Sequence, residues 1–172
     1  MFIDVSQIRK SPGQSYHFDL TEAIVPLAVG NDEIHFRAPV KVSMDIKNTG
    51  KVLDFSGNLQ ADTELICSRC LEVYAFHLDT DFKEQFCHES DVEAVTGEGL
   101  DTADMYIFDA NRIKLDDLLN EIILLGIPMR CVCNDNCKGL CAVCGANLND
   151  KNCNCIKEDI DPRLGVLKKY FD

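Results

Sequence analysis

Seven of the chain's ten cysteines lie within residues 131 to 155, CVCNDNCKGLCAVCGANLNDKNCNC; Cys67 and Cys70 form a CSRC pair far upstream, and Cys87 stands alone. No other feature limits the fold as strongly. Two thiols separated by two residues reach one ion from a single turn, and a tetrahedral ion such as zinc takes four of them at about 2.3 Å. Segments that share an ion must meet in space, however distant they are in sequence.

Disulfide cross-linking is the other use of crowded thiols, and it depends on compartment. The stretch MFIDVSQIRKSPG lacks the basic start and long apolar run of a secretory signal. The longest apolar run, Ile122 to Pro128, is too short to span a bilayer. Both features point to a cytoplasmic protein with reduced thiols and no membrane association. An apolar share of 46% over 172 residues supplies a core without covalent staples.

Ligand counting sorts the thiols. Cys141-Ala142-Val143-Cys144-Gly145 is a pair followed by glycine, and Cys153-Asn154-Cys155 returns past the turn-forming Asn147-Leu148-Asn149-Asp150. Cys141, Cys144, Cys153 and Cys155 make one compact local foursome. Cys133 and Cys137, at a C-x-x-x-C spacing, then complement Cys67 and Cys70 in a second, long-range foursome. An ion there closes a loop of more than sixty residues, and a metal clip of that span is expected to contribute substantially to folding. Cys131 and Cys87 are left over. A competing partition puts Cys137, Cys141, Cys144 and one of Cys153 or Cys155 on one ion and leaves Cys67 and Cys70 empty. The spacings favour the first partition and leave the second open.

Four thiolates fill a zinc ion's coordination sphere, so such an ion holds backbone in place and does not activate water. A catalytic ion calls for histidine and water, and His17, His35, His77 and His88 show no paired spacing. Two structural zinc ions, each held by four cysteines, are therefore the expectation. A C-x-x-C pair can instead shuttle electrons, although no thioredoxin-like βαβ pattern surrounds either one. Iron–sulfur clusters also draw on cysteines. Thiol redox or metal handling stands as the alternative function.

The rest of the chain reads as α+β. From Ile34 to Ile46 apolar and polar residues alternate, the period of a strand buried on one face. Asn48-Thr49-Gly50-Lys51 marks a turn, and Val52 to Leu59 returns antiparallel. Glu64-Leu65-Ile66 leads into the CSRC corner and Val73 to Leu78 leaves it, so the corner aims two thiols from between strands. The expected architecture is an antiparallel sheet, able to curl toward a barrel, packed with one main helix over 114–125 and followed by a cysteine-rich zinc-binding C-terminal segment. Leu115, Leu118, Leu119, Ile122 and Ile123 form the apolar stripe of that helix. Residues 88–105 carry six acids and no Lys or Arg, which predicts a loop. Asp161-Pro162 predicts the start of a short terminal helix. The domain boundary falls between 1–129 and 130–172.

Residues 1–129 hold ten basic and twenty-three acidic residues, a balance of −13. Such a surface disfavours broad nucleic-acid binding and suits a basic partner. Near the thiols, Arg69, Arg130, Lys138 and Lys151 are the candidate RNA contacts. Neither a phosphate loop, an HExxH run nor a serine-nucleophile motif occurs.

The CSRCLE corner, DMYIFDANRIKLDDLLNEIILLGIPM, CKGLCAVCGANLN with CNC, and IDPRLGVLKK occur in this order over residues 50 to 170. The arrangement resembles the bacterial YceD family of large ribosomal RNA subunit accumulation proteins. That resemblance implies a cytosolic, non-enzymatic protein that supports accumulation of large-subunit ribosomal RNA. Its partner would be a large-subunit component, a basic ribosomal protein or the RNA itself, with no small-molecule substrate. Cys67 and Cys70 match the family's upstream pair, and Cys137, Cys141, Cys144, Cys153 and Cys155 match its downstream cluster. Cys131 falls where the family has no expected ligand.

Overall fold

The computed structural model describes residues 1–29, 32–97 and 103–155; the terminal helix expected from Asp161 lies outside them. One unit comprises Met1–Leu65 with Ala75–Met129, the other Ile66–Tyr74 with the chain from Arg130 onward. In chain order the strands and helices are β1 (Phe2–Asp4), α1 (Ser6–Arg9), β2 (Ser15–Glu22), β3 (Leu27–Val29), β4 (Asp32–Phe36), β5 (Val40–Asn48), β6 (Val52–Ile66), β7 (Val73–His88), α2 (Val92–Gly97), β8 (Tyr106–Phe108), β9 (Arg112–Lys114) and α3 (Asp116–Gly126).

The alternating run expected as one strand is two, β4 and β5, and both pair with the same long strand β6. Phe36 faces Thr63 and Lys41 faces Gln60, so residues 37–40 oppose only 61–62. Pro39 has no N–H to give a ladder and sits in this bulge. Two extra residues leave the parity of the strand unchanged, so Ile34, Val40, Val42, Met44 and Ile46 all remain buried. Sequence alternation therefore runs straight through a break it cannot reveal.

The main sheet runs β2-β5-β6-β4-β3, with β7 also on β6 and β8 on β7. It is an open sheet and not a closed barrel: among the described residues, β2, β3 and β8 each pair with one strand only. Most pairs are antiparallel, but β7 and β8 run parallel, with Phe86 opposite Tyr106. Phe55 meets Phe86 in a tilted contact with ring centres 4.3 Å apart, and Phe86 stacks on Tyr106 at 4.9 Å. Gly57 faces Met44, where a Cβ would lie 2.4 Å from Ser43 O, so no larger residue fits without a shift.

α3 begins two residues later than the expected helix and supplies its apolar stripe as read. Leu115, Leu118, Leu119 and Ile123 are at most 2% exposed and join Val42, Ile46, Leu59 and Phe82 in one core. Each such side chain contributes about 1.5–3 kcal/mol through burial. The acidic stretch 88–105 is less of a loop than its composition implies. Glu89–Asp91 form a 3-10 turn and α2 follows, with Val95 buried against Val52 and Cys87. Val92 and Met105 pack beside Val95, but three apolar contacts scattered through an acidic run are too sparse a signal to read as a period.

Candidate metal centre

Both cysteine foursomes lie in the second unit. Cys67, Cys70, Cys133 and Cys137 form one, with all four sulfurs within 4.8 Å of one another; Cys141, Cys144, Cys153 and Cys155 form the other to the same tolerance. Cys67 Sγ is 3.8 Å from Cys137 Sγ, and Cys70 Sγ is 3.8 Å from Cys133 Sγ. This grouping follows the first of the two partitions considered from spacing, and Cys137 stands apart from the local foursome. Each group is compact enough for one metal ion. No histidine joins either.

The two leading pairs share one backbone device. In the first, Leu71 N donates to Cys67 O at 2.9 Å and Cys67 N donates to Glu72 O at 2.9 Å. In the second, Gly145 N donates to Cys141 O at 2.9 Å and Cys141 N donates to Ala146 O at 2.8 Å. This turn requires a left-handed residue after the second cysteine. Gly145 adopts φ 72° without strain, whereas Leu71 is held at φ 61°, where a Cβ is disfavoured. The glycine in CAVCG signals the turn, and the leucine in CSRCLE conceals it.

The corner is joined to residues 131–140 by further bonds. Ser68 donates to Cys131 O through both N and Oγ at 2.8 Å. Arg69 Nη1 donates to Asp135 O at 3.2 Å and Cys137 O at 2.9 Å, and Arg69 O accepts from Leu140 N at 3.0 Å. Gly139, at φ 73°, lets the backbone pass this carbonyl, because a Cβ there would lie 2.9 Å from Arg69 O. Arg130, Lys138 and Lys151 are exposed.

Sequence reading missed the asparagines. Asn149 Nδ2 donates to Cys137 Sγ at 3.3 Å while its Oδ1 accepts from Lys138 N at 2.8 Å; Asn147 Oδ1 in turn accepts from Asn149 N and Nδ2. Asn134 Nδ2 lies 3.5 Å from Cys133 Sγ. The only signal of Asn147 and Asn149 was the NLN between two cysteine pairs, which reads equally well as an ordinary turn.

The crowded sulfurs titrate unequally. Burial pushes the Cys67 thiol up, but N–H groups of Cys70, Cys133 and Arg69 together outweigh it and bring it down to about 6. N–H groups of Cys144 and Val143 bring Cys141 down to about 6. The Asn149 amide lowers Cys137. Burial, then neighbouring thiols, push Cys133 up to about 12, and the Cys144 thiol with burial does the same to Cys155. At Cys70 the Glu72 N–H works downward, but burial and the Cys67 and Cys137 thiols raise it overall. Four thiolates cannot crowd together uncompensated; each group keeps protons that a divalent cation would displace.

The two leftover thiols differ. Cys87 is buried in the sheet unit, and burial raises its thiol. Cys131 is half-buried beside Tyr74, whose hydroxyl is pushed up to about 12 by burial and then by Cys131.

An open sheet unit and a module of paired thiol knuckles define a cysteine-clamped β protein with two potential metal centres. Residues 55–170 match the family described as large ribosomal RNA subunit accumulation protein YceD, and the chain belongs to that family. It is 29% identical over 172 residues to the uncharacterized protein YlbN of Bacillus subtilis, covering 97% of this chain and 94% of that one. The chloroplastic YCED homolog 1 of Zea mays is 30% identical over 160 residues, covering 77% of this chain and 55% of its own. Its Arabidopsis thaliana counterpart is 28% identical over 152 residues, covering 75% and 47%. This chain thus spans about half the length of the plant relatives. No solved structure matches it. Among the described residues, no helix is long and apolar enough to cross a membrane.

Proposed function

We propose that the chain is a non-enzymatic, cytoplasmic zinc protein that supports accumulation of large-subunit ribosomal RNA by binding a component of the large subunit. The observation that carries this reading is the family match over residues 55–170, which encloses all eight clustered cysteines. The family name supplies the cellular role; the thiols supply the scaffold. Zinc is favoured because the 3.8 Å sulfur separations equal the edge of a tetrahedron with a zinc–sulfur distance of about 2.3 Å. A four-sulfur sphere has no open position, which supports a structural and not a catalytic ion.

Arg130, Lys138 and Lys151 are exposed for phosphate contacts if RNA is the component, whereas Arg69 Nη1 is already bound by two carbonyls. The test is depletion of the protein in its own host, followed by the ratio of large- to small-subunit ribosomal RNA. The ratio falls, and re-expression restores it. An unchanged ratio, with no large-subunit component recovered on the tagged protein at low salt, would overturn the reading. Rapid, reversible oxidation of Cys67 and Cys70 in the metal-loaded protein would favour thiol redox instead.

A further inference from the structure

Residues 1–129 carry a balance of −13, yet one cleft of about 300 Å³ in the sheet unit is lined by three of their ten cations, Arg9, Lys10 and Lys51, and, among the described residues, by one carboxylate, that of Asp91. Ser6, Asn48, His88 and Asn111 complete its polar lining. The cleft is built by a buried side chain. Asn48, 1% exposed, donates from Nδ2 to Ile8 O at 2.7 Å and Arg9 O at 3.1 Å, and its Oδ1 accepts from Gly50 N at 2.7 Å. One amide thereby fixes the end of α1, with Arg9 and Lys10, beside the turn that carries Lys51.

Arg9 is further held by Asn111, whose Oδ1 accepts from Nη1 at 3.0 Å, and its guanidinium lies 5.8 Å from the Phe108 ring centre. On the same unit Arg37 approaches Glu64 at 3.7 Å and Lys114 approaches Asp116 at 3.5 Å. Among the described residues, neither Arg9 nor Lys10 forms an ion pair. Arg9, held by Asn111 and Phe108, and the neighbouring Lys10, both without an ion pair among the described residues, suit an anion from outside. A guanidinium and an ammonium beside the Asn111 amide fit the oxygens of a phosphate.

We infer that this cleft is a phosphate site for RNA, with Arg9 and Lys10 as its charged contacts. The inference rests on the reading that a large-subunit component is bound, and at this cleft, though not over the acidic surface around it, the cations favour RNA over a basic protein. The surrounding acids keep the contact number small and the affinity salt-dependent.

The metal-replete chain is titrated with a labelled single-stranded RNA of mixed sequence, with AMP and with inorganic phosphate, while anisotropy and backbone amide shifts are followed. RNA moves the amides of Arg9, Lys10, Gly50 and Lys51. Arg9→Gln with Lys10→Gln weakens binding several-fold at low salt and lowers the log–log salt slope by roughly 0.7 per contact removed. Lys41→Gln, on an exposed sheet position, changes neither. Because Arg9 packs on Phe108, Lys10→Glu at an exposed position serves as the second variant, with a loss at least as large. Wild-type affinity in both variants, or amide shifts with AMP or phosphate but none with RNA, overturns the inference. Capture of a basic ribosomal protein without any RNA binding also overturns it, while leaving the proposed function standing.

Discussion

Asn149 Nδ2 donates a hydrogen bond to Cys137 Sγ across 3.3 Å, so a residue between the second pair of one foursome and its first reaches a sulfur of the other. Asn149 lies between Cys144 and Cys153, and an ion on those thiols restrains the loop that carries it. Amide donors to a thiolate orient it and stabilise its charge, and losing such a partner costs 10- to 100-fold in metal affinity as an order of magnitude. Asn149→Ala should weaken the site of Cys67, Cys70, Cys133 and Cys137 by about that factor and leave the other site close to wild type. Chelator competition read by native mass spectrometry measures both. Cys141→Ser with Cys144→Ser should also weaken the first site. Unchanged affinity there in both variants would show that the sites load independently.

Thiol accessibility distinguishes scaffold from reactive chemistry. With two ions bound, eight of the ten cysteines should resist a thiol reagent. Half-buried Cys131 should react first and buried Cys87 slowly. Chelation should release all eight and unfold the cysteine module, because its ligands come from separated segments. More than two reactive thiols before chelation contradicts the assignment.

Leu71 occupies the backbone position that Gly145 fills in the companion knuckle. Left-handed backbone costs a non-glycine residue about 1–2 kcal/mol, offset in part by the greater freedom of glycine when unfolded, about 0.5–1 kcal/mol. Leu71→Gly should therefore raise the stability of the metal-loaded protein by up to about 1 kcal/mol. Gly145→Ala should lower it by a similar amount. Chemical denaturation gives both signs, and a loss on Leu71→Gly would mean that the leucine side chain contributes more than its strain costs.

Gly57→Ala should destabilise the sheet unit by about 1–3 kcal/mol, since the new methyl meets Ser43 O and Met44 rather than a movable chain end. Melting at fixed metal occupancy isolates this effect from the thiol module. A variant of wild-type stability would show that β5 and β6 can separate locally without cost.

His17 titrates above the ordinary imidazole value, chiefly through its hydrogen bond to Asp45 and then the charge of Asp19. A raised folded value means that its contribution to stability is complete below the unfolded imidazole pKa and is lost as pH climbs through the folded one. Proton NMR should place His17 above an unstructured histidine, and Asp45→Asn should bring it back. The ring is exposed, so the accompanying change in stability is small.

Several features were legible because local chemistry sets them. Apolar spacing from Leu115 to Ile123 produces the buried face of α3, and ligand spacing sorts eight thiols into two foursomes. Other features left little trace. Pro39 hints at a break, but a bulge of two residues preserves alternation and hides how β4 and β5 share β6. Barrel closure depends on whether outer strands meet, which no single strand encodes; among the described residues β2, β3 and β8 each pair with one strand only.

The sequence by itself determined which residues can hold metal, because donor type and short spacing are properties of the chain. It also determined the inward and outward faces of β4 and β5 and the membership of the family, since these too rest on order along the chain. Only the tertiary structure decided that Leu71 does the work of a glycine, that Asn149 supports a sulfur of the other foursome, and that Arg9, Lys10 and Lys51 share one cleft. Hydrogen bonds and fields act through space, and their strength follows distances that arise only once distant segments have packed.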